Sequence, residues 1–295
     1  MLVVLAGGSG LIGTALAESL RADGHGVRRL VRGSASGPDT AGWDPSAGRL
    51  DPAALADAEA VVCLSGAGVG DRRWTDAYKA RLRSSRLDTV GTIARTMAEV
   101  GGPSVLVAAS AVGYYGDTGE RTVDEDAPPG DTFLARLCVD WEAAAEPARA
   151  AGLRVAHLRS GLVLTRNGGL LSRLKLIVKA GLGGRLGSGR QYWPWISLED
   201  EIRAIRHVLD GDLAGPVNLT GPAPATNAEF TRTLGRVLHR PTPFAVPSFA
   251  ARLALGEFAT EVLIGQRAVP QRLLDSGFTF ADTDLEACLR RELGR

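Results

Sequence analysis

The sequence predicts an α/β protein: a doubly wound parallel sheet with a smaller, mostly helical C-terminal lobe. Two observations predict it. The run Val3-Val4-Leu5-Ala6 is short, apolar and partly β-branched, and it stops at Gly7-Gly8-Ser9-Gly10-Leu11-Ile12-Gly13. Apolar residues then recur at helical spacing through Leu20, so the glycines occupy a strand-to-helix turn. The second observation is repetition. Strand-like stretches at 3–6, 27–31, 60–64, 104–109 and 155–158 alternate with segments of helical period. Such alternation demands parallel pairing, because each connection carries a helix back across the sheet.

Composition narrows the class. The chain has 295 residues, 45% hydrophobic and 23% charged, which suits a globular protein of one large domain or two smaller ones. A net charge of +1 gives no bulk field to recruit nucleic acid or an anionic membrane. Cys63, Cys138 and Cys288 are far apart and odd in number, so no disulfide framework or zinc pattern is expected, and a reducing, cytoplasmic setting fits. His25, His157, His207 and His239 lack metal-ligand spacing. No apolar run is long enough to span a bilayer, and no basic region precedes the first strand, so no signal peptide is expected. The expected partner is a small molecule, with monomer and dimer both open.

In chain order, the first turn carries the chemistry. Gly7, Gly10 and Gly13 allow a tight turn, close approach of a pyrophosphate to the backbone, and close packing of helix on strand. The helix then offers the unpaired N–H groups of Leu11, Ile12 and Gly13 to phosphate oxygens. This is the arrangement of a Rossmann-like dinucleotide site. A glycine C-cap at 24–26 ends the helix, and the second strand closes at Arg32. In such folds an acidic residue at that strand end binds the adenosine 2′-hydroxyl of NAD. Arg32 stands there instead, with no Asp or Glu before Asp39. A guanidinium pairs with a phosphate, so NADP(H) is the expected cofactor; the competing reading is a solvated surface arginine.

The polar stretch 33–38, turns around a short insertion at 43–51, and a short helix at 52–58 follow. The buried strand at 60–64 leads into Leu64-Ser65-Gly66, a loop at a strand's carboxyl end, where ligands sit in open α/β sheets. A long amphipathic helix covers 74–100, stopped by Gly101-Gly102-Pro103. The strand at 104–109 runs into Ser110-Ala111-Val112-Gly113-Tyr114-Tyr115-Gly116. A helix is expected over 133–151 and a strand over 155–158, ahead of Ser160-Gly161-Leu162. Beyond 165 the character changes. A helix to 179, the glycine-rich loop 181–189, a helix at 198–209 and a strand at 217–219 come first. A capping-box helix from Thr226 and four short helices end the chain.

Taken together, these residues resemble the extended and atypical short-chain dehydrogenase/reductases, the NAD-dependent epimerase/dehydratase family. Within it the chain is similar to the epimerase-like subgroup of the short-chain dehydrogenase 39U type, with a DUF1731-type C-terminal domain. The resemblance spans nearly the whole chain. It rests on the glycine turn, Ser84-Ser85-Arg86-Leu87, the stretch from Ser110 to Gly116, Trp141-Glu142, Arg159-Ser160-Gly161, Pro194-Trp195-Ile196, Thr226-Asn227-Ala228-Glu229-Phe230 and Val269-Pro270-Gln271-Arg272. It implies a nucleotide-binding domain over 1–165, its sheet completed near 217–219. A substrate lobe over 166–295 follows, including a helical domain at about 245–293.

The resemblance also implies a site. The superfamily uses a serine after the strand and a Tyr-x-x-x-Lys pair on the next helix. An i, i+4 spacing puts both on one helix face. The tyrosine moves a proton, and the ammonium lowers its pKa and holds the cofactor ribose. Ser110 matches the serine. Aligned on Glu142, Leu134 falls at the tyrosine and Cys138 at the lysine, the cysteine being what the subgroup shows. The catalytic candidates are therefore Ser110, Tyr114 and Cys138, with Tyr114 or Tyr115 as a substitute proton donor. The cofactor-binding candidates are Gly7, Gly10, Leu11, Ile12, Gly13, Arg32, Leu64, Ser65, Gly66, Arg86 and Leu162. Arg185, Arg190 and Trp195 are either substrate contacts or rim residues. Two readings stand: an NADP-dependent epimerase- or oxidoreductase-like enzyme on a small polar, sugar-nucleotide-like substrate, and a non-catalytic NADP(H)-binding sensor or scaffold.

Overall fold

The computed structural model describes residues 1–35 and 37–295; Ser36, in the expected polar stretch, lies outside the described residues. The chain divides into two compact units, and its segments alternate between them.

The first unit holds Met1–Ser110, Leu137–Leu158 and Ile205–Val217. Its frame is the expected sheet. The strands are β1 (Leu2–Ala6), β2 (Gly26–Arg32), β3 (Thr40–Asp44), β4 (Arg49–Leu50), β5 (Ala60–Cys63) and β6 (Val105–Ala111), joined by Arg154–Ser160 and Gly215–Leu219. Their order is 215–219, 154–160, β6, β5, β1, β2, β3, β4. β1 pairs in parallel with β2 on one side and β5 on the other, and β5 pairs in parallel with β6. The strand order therefore reverses at β1, and the carboxyl ends of β1 and β5 flank the switch point, where such sheets bind ligands.

Val3, Val4, Leu5 and Ala6 are fully buried, as a strand covered on both faces requires. Helix α1 (Leu11–Ala22) buries Gly13, Leu16, Ala17 and Leu20. Helix α2 (Asp76–Val100) starts at a Thr75 cap, whose hydroxyl accepts from the Tyr78 N–H, and ends at Gly101 with φ +69°. Its Val90, Ile93 and Met97 pack in one core with Trp43, Leu106 and Trp141.

The segment 43–51 differs from expectation. It forms two more strands, not turns: β3 lies parallel to β2 from Arg29↔Thr40 to Arg32↔Trp43, and β4 returns antiparallel. The reason is burial. Trp43 and Leu50 both enter the core, while Asp44 caps the intervening turn through Ala47 N–H. The helix expected at 52–58 is a single 3-10 turn, Pro52–Ala54. That expected at 133–151 is broken into Phe133–Ala143 and Glu146–Ala150, with Pro147 in the first turn of the second piece.

The second unit holds Ala111–Arg136, Arg159–Ala204 and Asn218–Arg295. Its helices surround Trp193, Trp195, Phe230, Leu234 and Leu289. Short strand pairs tie distant segments together: Leu162–Leu164 lies parallel to Trp195–Ser197, and Gly184–Leu186 to Phe244–Val246. The capping box is present, with Thr226 and Glu229 bonded reciprocally. Asp200, fully buried, accepts the Ala281 and Asp282 N–H groups, each at 2.9 Å. No helix among the described residues is long and apolar enough to cross a membrane.

Candidate functional site

The carboxyl ends of β1, β2 and β5 open on a cleft of about 1540 Å³ in the first unit. Gly7, Gly8, Ser9 and Gly10 form one wall, and Leu64, Ser65 and Gly66 another. Arg32 and Gly33 stand at the end of β2 on the same cleft. The glycines are there for space. Gly7 has φ +85°, and a Cβ on it would lie 2.7 Å from the Leu64 carbonyl carbon. A Cβ on Gly13 would overlap the Gly7 carbonyl oxygen. The Gly10 N–H closes the turn on Gly7 O at 3.0 Å. Gly10 is also the N-cap of α1 and supplies no capping side chain, which leaves the first-turn amides to an external acceptor.

The cleft thus brings together Gly7, Gly10, Arg32, Leu64, Ser65 and Gly66. Leu11, Ile12 and Gly13 lie in the first turn of α1 and do not line it. Arg29 went unnoticed in the sequence. It lines the same cleft, and its Nε is buried with no hydrogen-bond partner among the described residues. Its side chain packs on Gly8, where a Cβ would sit 3.0 Å from Arg29 Cδ. Only alternation along β2 separates it from Arg28, which pairs with Asp57; nothing local marked it.

The stretch Ser84-Ser85-Arg86 supports the 64–67 loop from below. Ser85 Oγ accepts from Ala67 N–H at 3.0 Å. Arg86 does not line the cleft. It is buried, with its guanidinium carbon 4.9 Å from the Trp141 ring centroid and its Nη1 donating to Leu82 O at 3.0 Å. A Cβ on Gly66 would touch it at 3.4 Å. Burial pulls its pKa below the ordinary arginine value, opposed by Cys138 and Tyr78 beside it. The lysine position of the family motif is therefore a buried thiol with a buried cation as neighbour. Ser110, also buried, donates its hydroxyl to Glu142 Oε1 at 2.7 Å. The sequence used Glu142 only as an alignment mark; the two are 32 residues apart.

In the second unit the Tyr115 hydroxyl is engaged on both sides. Its hydroxyl donates to Asn218 Oδ1 at 2.7 Å and accepts from Arg159 Nη1 at 3.0 Å. Burial pushes its phenol up to about 12. The same network holds Glu125, which accepts the Asn218 N–H at 2.9 Å and is pushed up by burial. Tyr114 stacks on Arg159, guanidinium carbon to ring centroid 3.4 Å, and is half-buried. Leu162 pairs with Trp195 across the short parallel strands. Trp195 is core, 1% exposed and donating its indole N–H to Ala223 O at 3.0 Å, so it has no surface to offer a substrate. Arg185 closes its own loop on the Gly187 and Ser188 carbonyls.

A family model for the NAD dependent epimerase/dehydratase family matches residues 3–219. The chain belongs to this family. A second model, a domain of unknown function (DUF1731), matches residues 246–292. An epimerase family protein of Mycobacterium bovis is 51% identical over 280 residues, covering 94% of this chain and 93% of the relative. The human epimerase family protein SDR39U1 is 36% identical over 298 residues, covering 98% of this chain and 99% of its own. A crystal structure of human SDR39U1 (isoform 2) with NADPH matches with a TM-score of 0.91 at 34% identity, over 100% of both chains. A nucleoside-diphosphate sugar epimerase from Corynebacterium glutamicum matches with a TM-score of 0.81 at 34% identity, over 100% of this chain and 58% of that one. The family resemblance read from the motifs, and the C-terminal domain with it, are thereby established.

Proposed function

We propose that this epimerase-family chain binds NADP(H) in the cleft at the ends of β1, β2 and β5, and acts there on a small polar, sugar-nucleotide-like substrate. The observation that carries the reading is the convergence of three features on one cleft. These are a glycine turn with no room for a Cβ, a helix start without a capping side chain, and two guanidiniums, Arg29 and Arg32. A pyrophosphate fits the turn and the helix start. Arg32, exposed at the strand end, suits a phosphate on the adenosine ribose. The human relative crystallised with NADPH supports the same choice.

When bound, a nicotinamide supplies or accepts hydride. The chain's own residues supply orientation and a proton path. Ser110 donates its hydroxyl to Glu142; turned from Glu142 to a substrate oxygen, that hydroxyl would polarise it. Of the two phenols after Ser110 in sequence, Tyr115 is held by Asn218 and Arg159, which favours Tyr114 as the proton donor. Cys138, buried beside Arg86, puts a thiol where the family motif has lysine. The absence of Tyr-x-x-x-Lys favours a second reading, an NADP(H)-binding sensor that does not turn over.

Kinetics separate the two. Two readouts are followed at micromolar protein, for the native chain and Ser110→Ala: NADPH consumption against simple carbonyls, and epimerised product from nucleotide sugars with NADP+ present, because an epimerase returns its hydride and consumes no cofactor. The enzymatic reading predicts turnover with at least one substrate, cut by about 100-fold in Ser110→Ala with NADPH affinity retained. Tight NADPH binding with no turnover in the panel selects the sensor reading.

A further inference from the structure

Nine large hydrophobic side chains are exposed among the described residues, and seven of them fall within 176–182 and 244–255 of the second unit. Leu176, Phe249 and Leu253 are the most open, at 70%, 73% and 76% exposure. The two stretches are neighbours in space. Gly184–Leu186 pairs with Phe244–Val246, and a Cβ on Gly183 would lie 2.8 Å from Thr242 Cγ2 and 2.9 Å from Val178 Cγ2. Each helix of the patch already buries an apolar face, through Leu171 and Val178 on Gly169–Lys179 and Ala251 on Ser248–Leu255. The exposed residues therefore form a second apolar face, left uncovered among the described residues.

Charge decides what covers it. The whole chain is balanced, with 34 Lys and Arg against 33 Asp and Glu. Residues 165–198 contain six Lys or Arg and no acid, and residues 230–256 contain four Arg and no acid. Lys179 and Arg252 lie on the two exposed helices themselves and are exposed. A second copy is a poor occupant, because two-fold pairing of this face would set cation against cation. An anionic occupant fits. The apolar side chains project outward, as they do in helices that lie in a headgroup layer beneath a basic rim.

We propose that this face docks peripherally on an anionic lipid bilayer. Leu176, Phe249 and Leu253 enter the interface between headgroups and acyl chains. Lys179 and Arg252 meet the lipid phosphates. The global charge of +1 conceals this local excess; of the counted cations Arg236 is paired with Glu286, and the exposed Glu257 borders the patch, so Lys179 and Arg252 carry the contact.

The test is sedimentation of the full chain with vesicles of phosphatidylcholine alone and of an equimolar mixture with phosphatidylglycerol. The expected result is recovery with the mixed vesicles only, weakening as salt rises to about 1 M. Phe249→Ser with Leu253→Ser should lower partitioning by about tenfold. Lys179→Glu with Arg252→Glu should do the same without touching an apolar contact. Thermal midpoints check that each variant is folded, and the charge-reversal pair decides if the serine pair is not. Equal recovery on both vesicle types, no recovery on either, or unchanged partitioning of the charge-reversal pair overturns the proposal. So does a concentration-dependent dimer that the serine variant abolishes, since the face then belongs to a second copy.

Discussion

On the proposed reading, cofactor choice turns on Arg32. Its guanidinium faces the cleft from the end of β2, and a charge-assisted pair with a phosphate contributes about 1.5–3 kcal/mol. Arg32→Ala should therefore weaken NADPH by about 10- to 100-fold in calorimetry and leave NADH within about twofold. Equal losses for both would remove the 2′-phosphate role. Glu201 makes a separate prediction. It is buried, accepts the Ser160 hydroxyl at 2.7 Å, and burial pushes its carboxyl up to about 8. In the unfolded chain it titrates near 4.3. Between those values the folded state holds the extra proton, so Glu201 makes the fold less stable as pH rises from about 4.3 to 8. Glu201→Gln should flatten the thermal midpoint across that window and raise it by about 3 °C or more at pH 8. An unchanged slope would show that Glu201 is ionised in the fold. Residues of this kind are poorly legible in sequence. The place of Arg32 on the cleft was legible because it closes the second strand. Ser110 with Glu142, and Tyr115 with Asn218, are separated by 32 and 103 residues, and no local pattern pairs them.

At the scale of elements, the β1–turn–α1 unit is the part most fully written in the sequence, because its constraints are local. Gly13→Ala tests it. The new methyl would overlap the Gly7 carbonyl, so helix and strand must part or the turn must shift. The expected cost is about 2 kcal/mol or more in urea unfolding, with NADPH binding lost. Unimpaired binding in a stable Gly13→Ala chain would contradict the close-packed turn. β3 and β4 show the opposite case. Trp43-Asp44-Pro45 and Gly48 carry turn chemistry, and the turn is there. The strands on either side exist because Trp43 and Leu50 are buried against α2 and the sheet, a tertiary effect that outweighs local propensity. Similarly, Trp195 was open to a substrate role by composition alone and is taken by the core.

For the whole molecule, the doubly wound class was legible because alternating strand and helix periods admit few topologies. The interleaving of the two units was not. Ser110 and Cys138 fall in the first unit, and Tyr114 and Leu162 in the second, although Ser110 and Tyr114 are close neighbours in sequence. A ligand that binds the native cleft stabilises the chain by mass action. Saturating NADPH should accordingly raise the thermal midpoint by about 4 °C or more at 100-fold excess over Kd, and do so less in Arg32→Ala. The most direct measurement is titration calorimetry of the native chain with NADPH and with NADH. Binding of NADPH to one site per chain, with NADH at least about tenfold weaker, is the predicted result. No heat from either nucleotide, or equal affinity for both, would contradict it.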